Sequence, residues 1–272
     1  MTIRLSTIHT FPLKSGAALT HDVATVETRG LHNDRRWMAI DADGAFVTAR
    51  KQPRLTLIRA QPRADGGVDL AAPGGGALSV AAPPSDGARV ATAVWGVGIT
   101  PLLADDAAHD WISTWLGAPH RLVHMDAGCE RRLRWQYEGR FGTDADQVSL
   151  ADGFPLLLIS QGSLDHLNDK LAQPVPMRRF RPNLVVTGTA PHAEDEWRRV
   201  RIGELEFEVA KPCTRCVLTT VDFTRGAFDP SGEPLRTLIG YRRRDGGVQF
   251  GQNLIPRRLG QLRVGDELEV LA

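Results

Sequence analysis

Two cysteines lie close together in residues 211–222, a segment that also carries an arginine and leads into a β-prone run. Cys213 and Cys216 form a Cys-x-x-Cys pair with Arg215 between them. The thiolate is the form of cysteine that binds a soft metal or attacks as a nucleophile, and a neighbouring guanidinium favours that ionised form. Because Arg215 directly precedes Cys216, Cys216 is the first candidate for the reactive sulfur.

A Cys-x-x-Cys pair can also belong to a zinc site, to a redox site or to an inert core. A structural zinc site needs four ligands, yet the third cysteine is Cys129 and no pair of spaced histidines follows Cys216. A thioredoxin-like pair normally precedes a helix, whereas Val217-Leu-Thr-Thr-Val221 is typical of a strand. The pair is also compatible with two small buried residues that do no chemistry, the commonest role of free cysteine.

Basic residues gather at several points where an anion could be bound. These points are Lys14 beside Ser15, Arg35-Arg36, Arg50-Lys51, the segment from Arg178 to Arg181, and Arg242-Arg-Arg244. Each group alone is typical of a solvated surface, and Asp245-Gly-Gly247 indicates that the last group lies in an exposed turn. Arg181-Pro-Asn183 differs, because proline stiffens the backbone between a guanidinium and an amide. This tripeptide favours a site for a polar, planar ligand.

The bulk composition is that of an ordinary globular protein and limits its partners. The 272 residues are 42% hydrophobic and 24% charged, which suffices for one or two cores. Since 33 basic residues are balanced by 32 acidic ones, no overall field favours nucleic acid as a partner. Three cysteines do not make a disulfide framework, and no signal-like N-terminus or membrane-length apolar run occurs. We therefore expect a cytoplasmic protein that is not inserted into a membrane.

Hydrophobic periodicity predicts many short strands and few helices. Strands are expected over residues 3–10, 37–41, 56–60 and 265–271. One helix is expected to begin at Asp105 or Asp106 and to end at Gly117. A second is expected over residues 164–171, capped by Ser163 and with His166 facing solvent. The pattern as a whole indicates a β-rich α+β fold with few helices.

Six segments in this order resemble those of a known family. They are Phe11-Pro-Leu-Lys-Ser15, Asp34-Arg-Arg-Trp37, Thr48-Ala-Arg-Lys-Gln-Pro-Arg-Leu55, Arg179-Phe-Arg-Pro-Asn183, Cys213-Thr-Arg-Cys-Val-Leu-Thr-Thr-Val-Asp222 and Phe250-Gly-Gln-Asn253. Together they resemble MOSC-domain proteins, and among these the mitochondrial amidoxime-reducing components and their bacterial counterparts. The resemblance covers essentially the whole chain. It implies a MOSC N-terminal β-barrel domain over residues 1–123 and a catalytic MOSC β-barrel domain over residues 124–272.

The resemblance also implies a molybdenum cofactor, in which a pterin dithiolene supplies two sulfurs and the protein supplies one cysteine. In the family that ligand is the second cysteine of the pair, here Cys216, and thiolate sulfur suits such a soft site. Asp152 corresponds to a family acid near the metal and would position water or relay protons. Its neighbours Gly153 and Phe154, which replace small polar residues of some relatives, are assigned to the cofactor site. Carried over by matching motif, the residues that would hold the pterin and its phosphate are Lys14, Ser15, Arg35, Arg181, Asn183, Thr214 and Arg215.

The reaction implied by the resemblance is reduction of N-hydroxylated compounds such as amidoximes, hydroxylamines and N-hydroxylated bases. The metal would abstract the oxygen, and two electrons and two protons would then complete the cycle and release water. A plant-type iron–sulfur cluster needs four cysteines, and none follows Cys216. We therefore expect electrons from a separate donor protein, such as a ferredoxin-like carrier or a flavin reductase.

Two other functions stay open at this point. In one, Cys216 carries a persulfide and transfers sulfur, as the kinship of MOSC domains to molybdenum-cofactor sulfurases implies. In the other, the protein binds and hands over the cofactor without catalysing a reaction.

Overall fold

The computed structural model describes residues 2–133 and 141–272 and is dominated by strands. The first eleven strands are β1 (Ile3–Thr10), β2 (Leu19–His21), β3 (Val23–Glu27), β4 (Gly30–Leu31), β5 (Trp37–Asp41), β6 (Arg59–Pro62), β7 (Val68–Ala72), β8 (Gly76–Val80), β9 (Thr92–Val94), β10 (Val97–Ile99) and β11 (Leu102–Leu103). The remainder are β12 (His120–His124), β13 (Leu156–Ser160), β14 (Leu184–Thr187), β15 (Arg199–Ile202), β16 (Leu205–Arg215), β17 (Val221–Asp222), β18 (Ala227–Phe228), β19 (Arg243–Arg244), β20 (Gly247–Pro256), β21 (Gly260–Arg263) and β22 (Glu267–Val270). The α-helices of the described residues are α1 (Asp106–Leu116), α2 (Gln161–Asn168) and α3 (Leu235–Arg242). The predicted β-rich fold with few helices is confirmed.

Seven strands close into a barrel in the order β13, β14, β1, β22, β15, β16, β20 and back to β13. Most neighbours are antiparallel, but β13 and β14 are parallel. Inward side chains alternate with outward ones along the strands, and in β1 a register shift between Leu5 and Thr7 allows both Leu5 and Ile8 to be buried. Strand β1 comes from the start of the chain, so the barrel joins the first residues to the last ones.

A second core lies beneath the N-terminal half. Strands β5 to β8 and helix α1 bury a cluster that includes Leu55, Leu70 and Ile112. Helix α1 agrees with its prediction. The side chain of Asp105 accepts a hydrogen bond from the backbone of Ala108, and Gly117 ends the helix with φ of 76°.

Three local predictions are wrong for identifiable reasons. Helix α2 begins one turn earlier than expected, because Ser160 is the cap and Ser163 donates its hydroxyl to buried Glu194. His166 does not face open solvent, since its ring contacts those of His192 and Tyr241. The predicted strand at 56–60 starts only at Arg59, after a 3₁₀ helix (Pro53–Leu57) that proline initiates.

Strand β16 carries the Cys-x-x-Cys segment to one end of the barrel. Its pairing with β20 shifts register between Val209 and Lys211 and again between Pro212 and Thr214. Proline lacks the N–H that a central strand needs, so Pro212 is accommodated at such an irregularity. The strand ends at Arg215, and Cys216 then caps a 3₁₀ helix, Val217–Thr220.

No helix within residues 2–133 and 141–272 has both the length and the apolar character needed to span a bilayer.

Candidate functional site

A basic cleft lies at the end of the barrel where β16 finishes, and it holds about 830 Å³ of non-protein space, including the part open to solvent. Every residue predicted from the sequence as a site residue lines it. These are Lys14, Ser15, Arg35, Asp152, Gly153, Phe154, Arg181, Asn183, Thr214, Arg215 and Cys216. The cleft also includes residues that were not among those predicted, and the polar ones besides Cys213 and Thr219 are Thr48, Arg50, Arg179 and Asn253. Segments far apart in the chain therefore meet at one place.

The sulfur of Cys216 is partly exposed and faces a guanidinium from the N-terminal half. Arg50 donates from Nε to Cys216 Sγ at 3.1 Å and from Nη2 to Asp152 Oδ2 at 2.7 Å. One arginine thus joins the candidate metal ligand to the candidate acid. Such a charged donor suits a sulfur that carries negative charge.

Arg50 packs against the ring of Trp95, which in turn contacts Phe46. Its guanidinium lies 4.3 Å from the ring centre of Trp95, and Trp95 makes an edge contact with Phe46. Trp95 occupies the turn between β9 and β10 with φ of 53°, a conformation that is strained for an aromatic residue. The motif containing Arg50 was part of the family resemblance, but nothing in its spacing indicated a contact with Cys216.

The second thiol has different surroundings. Cys213 packs against a core cluster that includes Phe180 and Phe250, and its Sγ accepts a hydrogen bond from Arg215 Nη1 at 2.9 Å. The two sulfurs are therefore bound by separate arginines. Both cysteines line the cleft, but Cys213 lies within β16 and packs against the core cluster, whereas Cys216 follows the end of the strand and contacts Arg50.

Asp152 lies between two cations. Lys14 Nζ donates to Asp152 Oδ1 at 2.6 Å and to the carbonyl oxygen of Leu150 at 2.7 Å. The buried guanidinium of Arg131 donates to the carbonyl oxygens of Ala151 and Asp152, which fixes this loop. Desolvation raises the pKa of Asp152, but the charges of Lys14 and Arg50 outweigh it and hold that pKa far below its usual range. Asp152 is therefore ionised at neutral pH.

Two further arginines lie against the ring of Phe11. The guanidinium carbons of Arg35 and Arg181 lie 4.6 Å and 4.1 Å from its centre. Arg35 is bound by fully buried Asp34 and by Asn183 Oδ1, while Arg181 Nη1 donates to the carbonyl oxygen of Gly16 at 2.6 Å. Asn183 donates its own amide hydrogens to His9 and Asp34. Its side chain is thus occupied in orienting Arg35.

The backbone is strained at several of these positions. Ser15, Arg35 and Arg181 have φ values of 68°, 50° and 56°, in the left-handed region that non-glycine residues rarely adopt. Strain of this kind costs energy and is retained where surrounding contacts impose it, often at ligand sites. In this cleft it directs a hydroxyl and two guanidinium groups toward one space.

The charge of the cleft fits an anionic ligand. Its described lining contains six basic residues, Lys14, Arg35, Arg50, Arg179, Arg181 and Arg215, against one acidic residue, Asp152. Nε of Arg215 is buried and has no hydrogen-bond partner in the described structure. Burying charge without compensation is costly, so an anion that accepts these N–H groups would stabilise the arrangement. A pterin that carries a phosphate and binds a metal fits this lining, because the phosphate would accept these N–H groups and the metal would bind the sulfur of Cys216.

Raising the pH from 7 to 9 should weaken sulfate binding to the cofactor-free protein by up to about tenfold. Burial lowers the pKa of Lys14 to about 8 even though Asp152 opposes this. Lys14 is therefore mostly cationic below pH 8 and mostly neutral above it, while sulfate keeps its charge. Titration calorimetry measures the affinity. The Lys14→Arg variant, which stays charged in this range, should lose much less affinity; equal losses in both proteins would contradict the role of Lys14.

Comparison with known proteins places the geometry in a family. Residues 2–119 match the MOSC N-terminal beta barrel domain, and residues 145–269 match the MOSC domain. The chain is 36% identical to mitochondrial amidoxime-reducing component 1 of Mus musculus, over 96% of this chain and 80% of that protein. The Homo sapiens protein of the same name is 33% identical, over 96% of this chain and 81% of that protein. The Xenopus laevis protein of that name is 32% identical, over 94% of this chain and 78% of that protein. The predicted resemblance is confirmed: the chain belongs to the family of MOSC-domain proteins with a MOSC N-terminal beta barrel domain.

Proposed function

We propose that this protein is a molybdenum-cofactor-dependent oxidoreductase that reduces N-hydroxylated compounds. The observation that carries the proposal is a cysteine sulfur bordering a cleft with six basic residues and one acidic residue. Membership of the MOSC family and similarity to relatives named amidoxime-reducing components support it. Amidoximes, hydroxylamines and N-hydroxylated bases are the substrate class.

Cys216 would be the protein ligand of the metal, and the basic residues would bind the anionic part of the pterin. Lys14 engages two acceptors of the protein and has a third N–H donor left for a ligand. The buried Nε of Arg215 offers another donor. When bound, the cofactor supplies a metal that can take an oxygen atom from an N–O bond and exchange two electrons.

Asp152 would act as a hydrogen-bond acceptor and not as an acid. Because its pKa lies far below the usual range, it does not hold a proton at neutral pH. It can still orient a water or the N–OH group of a substrate from the position that Lys14 and Arg50 impose. Lys14, with a pKa of about 8, is the neighbouring group whose proton is available near neutrality.

The N-terminal half contributes directly to this site. Arg50 comes from the segment before the first 3₁₀ helix, and it contacts both Cys216 and Asp152. Groups that hydrogen-bond a metal ligand tune the metal and orient the ligand. The proposal therefore assigns Arg50 to positioning the ligand sulfur.

Elemental analysis combined with a turnover assay separates this function from its two alternatives. Protein expressed with molybdate should contain about one molybdenum per chain and should reduce benzamidoxime when a chemical reductant is supplied. Metal without turnover would favour a cofactor carrier. Cyanide-labile sulfur on Cys216 without metal would favour sulfur transfer.

A further inference from the structure

The run Arg242-Arg-Arg244 divides into one structural residue and two exposed ones. Arg242 is only 3% exposed, pairs with Asp195 at 2.6 Å and donates to the carbonyl oxygen of Gln249. Arg243 and Arg244 are exposed, and in the described part of the chain neither lies within ion-pairing distance of a carboxylate. The nearby carboxylate of Asp245 accepts from Gln249 instead. Two guanidinium groups are therefore free on this surface.

Helix α3 extends this charge into a wider surface. Positions 236, 239 and 240 recur at helical spacing and share one side of the helix, and Arg243 and Arg244 follow the end of the helix in β19. Ile239 is 43% exposed, and the guanidinium of Arg236 reaches solvent although it pairs with Glu233. We call the surface formed by Val217, Arg236, Ile239, Gly240, Arg243 and Arg244 the arginine face.

The arginine face lies beside the candidate metal ligand. Val217 directly follows Cys216 and is 43% exposed. Helix α3 contacts the 3₁₀ helix that Cys216 caps, and the β19–β20 hairpin runs next to the end of β16, where Val248 pairs with Arg215. A protein bound here would lie close to the sulfur without entering the cleft that must admit the substrate.

Gly240 is a second unusual feature of this surface. It lies within α3, is exposed, and a Cβ added to it would meet no atom within 4 Å. Glycine is unfavourable inside a helix, and nothing within the described chain requires it at this position. The missing side chain leaves the helix backbone open to close approach by another molecule, as small residues do at interfaces.

We propose that the arginine face docks an acidic electron-carrier protein that reduces the site. The proposal rests on the function proposed above, in which the N–O bond of the substrate breaks and its oxygen leaves as water. Two electrons, which a one-electron carrier such as ferredoxin delivers in two successive encounters, and two protons from solvent balance that step. Exposed arginines around an apolar centre favour a partner with carboxylates around its redox centre, because complementary charge speeds encounter and sets orientation.

Charge reversal tests the docking surface. The Arg243→Glu/Arg244→Glu double variant should raise the KM for an acidic plant-type ferredoxin, kept reduced, by about tenfold or more at low salt. The effect should shrink as salt screens the charges. The rate with reduced methyl viologen, a small cation that needs no docking, should not fall. This pair of reductants distinguishes carrier docking from damage to the site.

Arg258→Glu is the matched control. Arg258 is also exposed, and its backbone N–H bonds to Glu206 at the start of β16, about 30 Å along the strand from Cys216. The Arg258→Glu variant should have a KM for ferredoxin within about twofold of that of the unchanged protein. Gly240→Ala should likewise be tolerated, whereas Gly240→Trp should raise that KM without lowering Tm.

An unchanged KM for ferredoxin in the double variant, or an equal rise in Arg258→Glu, would overturn the docking proposal. So would turnover with methyl viologen and none with ferredoxin, because the partner would then not be an acidic carrier of this kind. Absence of turnover with both reductants in a molybdenum-loaded protein would instead overturn the proposed function, and the docking proposal with it.

Discussion

Replacing Cys216 by alanine should reduce N–O reduction to background and remove most of the bound molybdenum, whereas replacing Cys213 by alanine should leave most of both. Cys216 borders the cleft with its Sγ 3.1 Å from Arg50 Nε, so it can offer a sulfur to a metal there. Cys213 packs against a hydrophobic cluster and accepts from Arg215, so alanine costs packing and one hydrogen bond. Molybdenum per chain and benzamidoxime turnover are measured on the same preparations.

Thermal unfolding of both variants provides the control for this comparison. Both positions are partly exposed, but only Cys213 packs against the core cluster, so Cys216→Ala should change Tm less than Cys213→Ala does. Equal losses of metal in the two variants would contradict the assignment of Cys216 and would favour a mechanism in which both thiols act together.

Replacing Arg181 or Lys14 by methionine should weaken the affinity for the cofactor by about 10- to 100-fold and so lower its occupancy. Each replacement removes a charged hydrogen-bond donor to an anion, which is worth about 1.5–3 kcal/mol. Both side chains are buried in the cleft wall. In Arg181→Met, turnover per bound molybdenum should fall much less than the amount of molybdenum per chain, because Arg181 is proposed to bind the pterin. Occupancy is measured as molybdenum and released pterin per chain.

Arg242→Met is the matched control for this loss. Arg242 is also buried, but it pairs with Asp195 outside the cleft, so its replacement tests destabilisation alone. If Arg242→Met lowers occupancy as much as Arg181→Met at the same loss of Tm, the loss reflects general destabilisation and the anion-binding role of Arg181 is wrong.

Local elements that depend on short-range signals could be predicted from the sequence. Strand β1 follows from its alternating apolar residues, and helix α1 follows from the Asp105 cap and Gly117. The start of α2 could not be fixed, because Ser160 and Ser163 are both good caps and buried Glu194, distant in sequence, engages the hydroxyl of Ser163. Local propensity does not contain that contact.

The site could be predicted as a set of residues but not as an arrangement. Motif resemblance selected eleven residues that line one cleft, yet the contact of Arg50 with Cys216 spans 166 positions of the chain and depends on how the two halves meet. The left-handed backbone of Ser15, Arg35 and Arg181 likewise follows from tertiary contacts and not from residue type. The division of the arginine run, with Arg242 buried and Arg243 exposed, depends on where Asp195 lies.

X-ray absorption at the molybdenum edge of cofactor-loaded protein tests the coordination of the metal most directly. If Cys216 binds the metal beside the two dithiolene sulfurs, the Cys216→Ser variant, loaded in vitro, should show one sulfur neighbour fewer than the unchanged protein and one more oxygen. An identical number of sulfur neighbours in the two proteins, or loss of a sulfur in Cys213→Ser instead, would contradict the assignment.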